Sequence, residues 1–333
     1  EEAAAKVAAT LPDGVKVKGV TAYPDPERSY QVNLSKPKRA AVFVNPYTGE
    51  VLGKYERLSF FRTMFGLHRW LLGSRPDGGG IFWGKMIVGV STLLFVIVLL
   101  SGIIIWWPRT KKALTGSLKI TVRKGWRRFW YDSHVSLGFY TTLFLLVMAL
   151  TGLTWSFTWY RTAVYSLFGG TAPKVKNTPR PEYRQKERKD AAKQSRPDRQ
   201  RHTGREKDRK ETTFNYAVWD KAADAVHQLY PTYKSVKLGM EGIEIAPNPN
   251  TDRRQTDKIQ FDPQTGRLGS ITYYKDAPAS QTLKGWFYAF HTGSWGGVWT
   301  KVLYFLAAFI GGILPLSGYY LWYKRKFSSR QKR

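Results

Sequence analysis

The sequence predicts an α-helical integral membrane protein of three spans with two small exterior α/β modules, and three observations predict it. Three apolar runs exceed the roughly 20 residues needed to cross a bilayer. Tryptophan, tyrosine and basic residues flank them, as at membrane interfaces. A unit made of a β-rich stretch, a histidine and an apolar run occurs twice.

Residues 1–57 read as the first exterior module. Glu2 to Ala9 has helical composition, and strands are expected near Val15 to Tyr23, Ser29 to Leu34 and Ala40 to Val44. The following Val44-Asn45-Pro46-Tyr47-Thr48-Gly49 is a turn signal, because proline presets φ and glycine accepts φ > 0. Residues 58–80 form an interfacial segment with His68 in Gly66-Leu67-His68-Arg69. The first span is 81–107, Ile81 to Trp107, with Lys85 the charge near its start. The loop 108–133 holds Arg109, Lys111, Lys112, Lys119, Arg123, Lys124, Arg127 and Arg128, which places it in the cytoplasm by the positive-inside rule.

Residues 134–168 contain the second span, apolar from Ser136 to Phe157, with His134 at its inner end. Between Lys174 and Lys210 lie fifteen Lys and Arg residues in Pro- and Gln-rich sequence without apolar periodicity, so 169–213 is expected to be a disordered linker. The second exterior module is 214–283. Tyr216, Val218, Ala222, Ala225 and Leu229 give Phe214 to Tyr230 helical spacing, and strands are expected near Val236 to Ile245, Lys258 to Phe261 and Ile271 to Tyr274. Phe261-Asp262-Pro263-Gln264-Thr265-Gly266 repeats the turn signal. Residues 284–323 carry His291 and the third span, Val298 to Tyr323, and 324–333 form a basic cytoplasmic tail. Each module is too small for a large core, so the two are expected to lean on each other or on the membrane.

Charge and cysteine usage narrow the function. A net charge of +29 would ordinarily suggest nucleic acid, but it is concentrated in the linker and beside the spans, where anionic lipid headgroups are the natural partner. No nucleic-acid role is expected. The absence of cysteine excludes disulfides, thiolate zinc sites, cysteine-ligated iron–sulfur clusters and covalently attached haem. Redox chemistry would need a non-covalent cofactor. The basic loop and tail put residues 1–57 outside, so a signal peptide or a further helix is expected ahead of Glu1.

The duplication can be aligned without gaps. Trp83 to Arg109 placed on Trp299 to Arg325 gives eight identities in 27 positions, among them Lys85 with Lys301, Ser101-Gly102 with Ser317-Gly318 and Trp106 with Trp322. Each copy has a histidine upstream. The two Ser-Gly pairs read as sites of close helix packing that also make room for a flat group.

These residues resemble a known family. The doubled Asn/Asp-Pro-x-Thr-Gly turns, Leu67-His68-Arg69, His134-x-x-x-Gly138-Phe139-Tyr140 and His291-Thr292-Gly293-x-Trp295-Gly296-Gly297 look like the PepSY-associated transmembrane proteins of bacterial inner membranes, over nearly the whole chain except the basic linker. The resemblance implies PepSY-like periplasmic modules and a four-helix plan, whose first helix also carries a histidine and lies outside this sequence. It further implies, for some members, a haem-containing reductase of ferric siderophores.

The residues reach a similar place. His68 and His291 are equivalent in the duplication and belong at the outer face, where two imidazoles can hold one b-type haem. Phe61, Phe65, Trp70, Phe290 and Trp295 are available to pack around it, and Arg62 or Arg69 to meet propionates. His134 lies a bilayer thickness away. Either it is a lone interfacial residue, or it binds an inner haem b with a partner on the missing helix. His227 reads as structural and His202 as solvated.

The expected function is electron transfer from a cytoplasmic protein or a quinol to a periplasmic ferric siderophore or other iron chelate. Ferrous iron is held less tightly than ferric iron by oxygen donors, so reduction favours release. Two alternatives stay open: a haem-free membrane-anchored binding or regulatory protein, and a cytochrome that serves a periplasmic protein.

Overall fold

The computed structural model describes residues 2–37, 39–74, 76, 80–172, 216–240, 242–247, 255–262 and 265–327. The basic stretch 174–210 and His202 lie outside the described residues. In chain order the elements are α1 (Glu2–Thr10), β1 (Val17–Ala22), β2 (Tyr30–Leu34), β3 (Ala41–Val44), β4 (Val51–Tyr55), α2 (Ser59–Trp70), α3 (Trp83–Trp106), α4 (Lys111–Ser117), α5 (Trp126–Ser156) and α6 (Thr158–Leu167). They continue with α7 (Ala217–Leu229), β5 (Ser235–Gly239), β6 (Gly242–Ala246), β7 (Asp257–Phe261), β8 (Leu268–Thr272), α8 (Ala279–Thr292) and α9 (Gly297–Phe327).

The two modules share one sheet. Its order, β4-β3-β2-β1-β5-β6-β7-β8, is palindromic: each module is an antiparallel meander, and their first strands join edge to edge. At the join Gly19 pairs with Gly239, Val20 with Leu238, Thr21 with Lys237 and Ala22 with Val236. The mutual support expected of two small modules thus takes the form of eight continuous strands, and each meander covers the other's exposed edge. Gly19 is required there, since a Cβ would come within 2.2 Å of the Leu238 carbonyl oxygen.

Alternation along the strands sorts the two faces. Val20, Val32, Val42, Leu238, Ile243 and Ile259 fall on the face covered by α1 and α7, which add Val7, Trp219 and Val226 to a common core. Complete burial of such a side chain contributes about 1.5–3 kcal/mol. The opposite face is polar, with Asn33 donating to Thr21 at 3.1 Å and Lys237 paired with Glu244 at 3.0 Å.

Several boundaries differ from expectation. β4 was not anticipated, being short and largely exposed. The run Val236 to Ile245 is a hairpin of two strands, reversing between Gly239 and Gly242. Asn45 to Gly49 form a turn, with Gly49 (φ +68°) donating to the Asn45 carbonyl at 3.0 Å, and at the second motif Gly266 (φ +76°) donates to the Asp262 carbonyl at 2.9 Å.

Among the described residues three helices are long and apolar enough to cross a membrane: Trp83–Trp106, Trp126–Ser156 and Ser294–Phe327, the last including the short turn before α9. Their outward side chains are large and apolar, as at Ile105 (86 % exposed) and Phe305 (67 %), which suits lipid rather than water. α5 packs against both α3 and α9. Val96 meets Ala149 and Leu153 on one side; Phe144 meets Tyr304 on the other, with ring centroids 5.5 Å apart.

α5 begins earlier than the apolar run suggested, so His134 sits two turns inside the helix rather than at its end. The buried Asp132 anchors that extension, accepting from the Thr121 amide at 3.1 Å and from Arg128 Nε at 2.8 Å. At the sheet side the chain breaks at Phe157 (φ −116°, ψ 129°), where the apolar run ends, and the rest of the 134–168 segment forms the separate helix α6. The interfacial segments expected around His68 and His291 are helices, α2 and α8, running from edge strands β4 and β8 to α3 and α9.

Candidate functional site

His68 and His291 meet at the sheet side of the helices. α2 delivers one and α8 the other, and their ring centroids stand 5.9 Å apart with planes 38° apart. His291 is half-buried and firmly held. Its Nδ1 lies 2.9 Å from the Met148 carbonyl and 3.3 Å from Thr151 Oγ1, both on α5. Thr151 spends its own proton on the Val147 carbonyl at 2.6 Å, so toward the histidine it can only accept. The imidazole proton therefore resides on Nδ1, and Nε2 carries the free lone pair. Burial pushes the His291 pKa below its ordinary value, against the Met148 carbonyl, which favours the charged form.

Backbone geometry makes room for this ring. A Cβ on Gly152 would lie 3.2 Å from His291 Cε1. Trp155 packs edge-on at 5.2 Å. Beyond the ring, α8 ends on Gly293 (φ +66°), whose carbonyl accepts from Thr300 Oγ1 at 2.6 Å and so ties α8 to α9. α2 is fixed to α3 by close backbone approach, since a Cβ on Gly84 would come within 2.0 Å of the Trp70 carbonyl oxygen. His68, on the exposed side of α2, lines a groove of about 360 Å³ with Leu67, Leu71, Ile87, Val88 and Phe95.

Metal–nitrogen bonds of about 2 Å on opposite sides of an ion put the two ring centroids roughly 6 Å apart. The Nδ1–H of His291, given to a backbone carbonyl, is the usual outer-shell support of a ligating Nε2. Among the described residues no cluster of three or more His, Cys, Asp or Glu could hold a bare ion. An ion between these two rings would need a macrocycle for its remaining donors, as haem iron has.

His134 occupies a second site with the same construction. Its Nδ1 lies 2.8 Å from Ser317 Oγ, which donates its own proton to the Leu314 carbonyl at 2.9 Å. A Cβ on Gly318 would lie 3.3 Å from His134 Cε1. A hydroxyl residue followed by glycine thus seats each ring: Thr151-Gly152 for His291 and Ser317-Gly318 for His134. Ser101-Gly102 repeats the pair on α3. There Ser101 likewise donates back along its helix, to Val98 at 2.9 Å, and a Cβ on Gly102 would meet nothing within 4 Å. His134 borders a cavity of about 40 Å³ with Trp130, Leu137 and Ile313. It stands 18 residues along α5 from Gly152, roughly 27 Å at 1.5 Å per residue. The two histidine sites are therefore at opposite ends of the spans.

The remaining expectations divide. Phe65 and Trp70 pack edge to face at 6.0 Å, and Phe290 lies 6.0 Å from Trp295, close to the histidines in sequence. Phe61 is exposed and packs on Phe60. Arg69 lies over both Phe65 and Trp70, whereas Arg62 reaches Ser59 at 3.5 Å. His227 is exposed on α7, with its ring centroid 5.4 Å from that of Tyr233. Thr151, Gly152 and Trp155 were not anticipated; the only sequence signal was the Thr-Gly pair itself.

Three apolar spans beneath a doubled α/β sheet, with histidines converging where the two meet, define an integral membrane protein with sheet-side soluble modules. The family model of the PepSY-associated TM region matches residues 1–325, and the chain belongs to that family. No curated protein matches it.

Proposed function

We propose that this protein is a b-type haem reductase of the bacterial inner membrane, moving electrons from the cytoplasmic or quinone side to a ferric siderophore on the periplasmic side. The observation that carries the reading is the approach of His68 and His291 at 5.9 Å, with His291 Nδ1–H committed to the Met148 carbonyl. Bound haem supplies one-electron chemistry at its iron. The chain's own residues hold, orient and shield.

His68 and His291 would hold the outer haem, with Met148 and Thr151 fixing the His291 tautomer. His134, oriented by Ser317, would serve an inner haem. The apolar side chains of α3, α5 and α9 keep water from the interval between the two sites. The basic α3–α5 loop and the Lys324, Arg325 and Lys326 end of α9 set the cytoplasmic side. The sheet and its polar face then lie in the periplasm, where the iron chelate docks.

The test is an absorption spectrum of the protein purified after expression with haem supply, followed by mixing the reduced protein with ferric siderophores. Soret and α bands, and reoxidation by a chelate, are expected. Their absence from a folded protein would remove the haem reading, and haem without reoxidation by any chelate would move the acceptor to a protein.

A further inference from the structure

Three arginines from separate segments close on one phenyl ring. Arg39 in the turn before β3, Arg57 in the link from β4 to α2, and Arg69 in the last turn of α2 hold their guanidinium carbons 5.3, 5.2 and 5.2 Å from the Phe65 ring centroid. No two of them can be farther apart than twice that distance. Among the described residues none of the three is paired with a carboxylate, and neighbouring Glu56 is held by Lys54 at 2.7 Å. One aromatic face offers a guanidinium about 0.5–1 kcal/mol at an exposed site, which does not neutralise three like charges. Arg39 also has φ +72°, a left-handed conformation that costs a non-glycine residue energy.

The cluster borders the histidine pair. Phe65 is three residues before His68, hence on the same side of α2. Guanidinium groups match carboxylates in a planar, two-bond fork, and several converging forks suit a ligand with more than one carboxylate.

We propose that Arg39, Arg57 and Arg69 form an anion-binding site for a ligand carrying two or more carboxylates, seated beside His68 and His291. That chemistry has two sources, the propionates of a bound tetrapyrrole and an anionic iron chelate. The first rests on the haem reading above and the second does not.

The test uses the full chain in phosphatidylcholine nanodiscs, which carry no net charge of their own. Wild type, Arg57→Gln, Arg69→Gln and Arg57→Lys are compared, with Arg28→Gln as a control on a distant loop, where it stacks on Tyr23 at 3.9 Å. Binding is measured for ferric citrate against ferrioxamine B, which has no carboxylate, and for haem against its dimethyl ester. Each glutamine variant is expected to weaken one carboxylate probe about tenfold. The carboxylate-free counterpart should be unchanged, and Arg57→Lys should keep most of the affinity.

A response to citrate assigns the site to a chelate, and a response to haem but not its ester assigns it to the propionates. The proposal is overturned if both carboxylate probes bind the variants as tightly as wild type, or if each carboxylate-free counterpart weakens equally. If wild type takes up no haem, the haem reading fails while the citrate comparison still decides the anion site.

Discussion

Replacing Gly318 by alanine tests the seating of His134 directly. The added Cβ would stand 3.3 Å from His134 Cε1 and 3.9 Å from Nδ1. The first is inside the roughly 3.5–4.0 Å optimum for carbon pairs, so the ring must move by a few tenths of an ångström. It is not free to do so, being tied to Ser317 Oγ at 2.8 Å and packed between α5 and α9. Overpacking of this kind costs about 1–3 kcal/mol, and the small displacement argues for the lower end. Glycine to alanine in a helix also gains about 1 kcal/mol of propensity, which must be removed from the comparison. Gly312→Ala does that, since it lies on the same helix and its Cβ meets nothing within 4 Å. Unfolding in detergent followed by tryptophan fluorescence should give Gly318→Ala a midpoint below that of Gly312→Ala by the equivalent of about 1 kcal/mol. Equal midpoints would refute the seating.

Other outcomes follow from the soluble sheet and the basic loop. Gly19→Ala drives a methyl into the Leu238 carbonyl and should part the two meanders at a cost of about 3 kcal/mol or more; hydrogen exchange of β1 and β5 amides should rise together. Tyr230 donates to Asp257 at 2.9 Å, and burial, then that carboxylate, raise its pKa well above the phenol range. A raised folded pKa means stability is complete below the unfolded value of about 10 and is lost as pH climbs above it. Wild type should therefore lose stability above about pH 10, and Tyr230→Phe, about 1–3 kcal/mol less stable at neutral pH, should show a shallower alkaline decline in urea titrations. Asp132→Ala leaves the Thr121 amide without its acceptor and should cost about 1–3 kcal/mol, read as faster proteolysis of the α4–α5 loop.

The spans were legible because lipid imposes length and apolarity on each helix independently of tertiary context. The two Asn/Asp-Pro-x-Thr-Gly motifs were legible because Gly49 and Gly266 need positive φ wherever they occur. The join of the two modules was not. Nothing local distinguishes β1 and β5 as edges that find each other across more than 200 residues. β4 lacked burial to mark it, and the β5–β6 hairpin hid inside one apolar alternation because Gly239 and Gly242 also read as strand interruptions.

His68 and His291 were legible as a pair through the duplication. The residues that orient His291 were not, because Met148 acts through its carbonyl and Thr151 lies 140 positions away. Ser317 and Gly318 read from sequence as a packing pair, whereas their contact with His134 exists only in the fold. The arginine cluster was hidden for the same reason: Arg39, Arg57 and Arg69 converge only once β3, β4 and α2 are placed.

The proposed function stands or falls on whether His68 and His291 would together hold one haem. Near-infrared magnetic circular dichroism of the oxidised, purified protein reports axial ligands directly. The account predicts a bis-imidazole band in wild type that is lost in both His68→Ala and His291→Ala, with the folded protein otherwise retained. A protein without that band, or one whose band survives both substitutions undiminished, would contradict it.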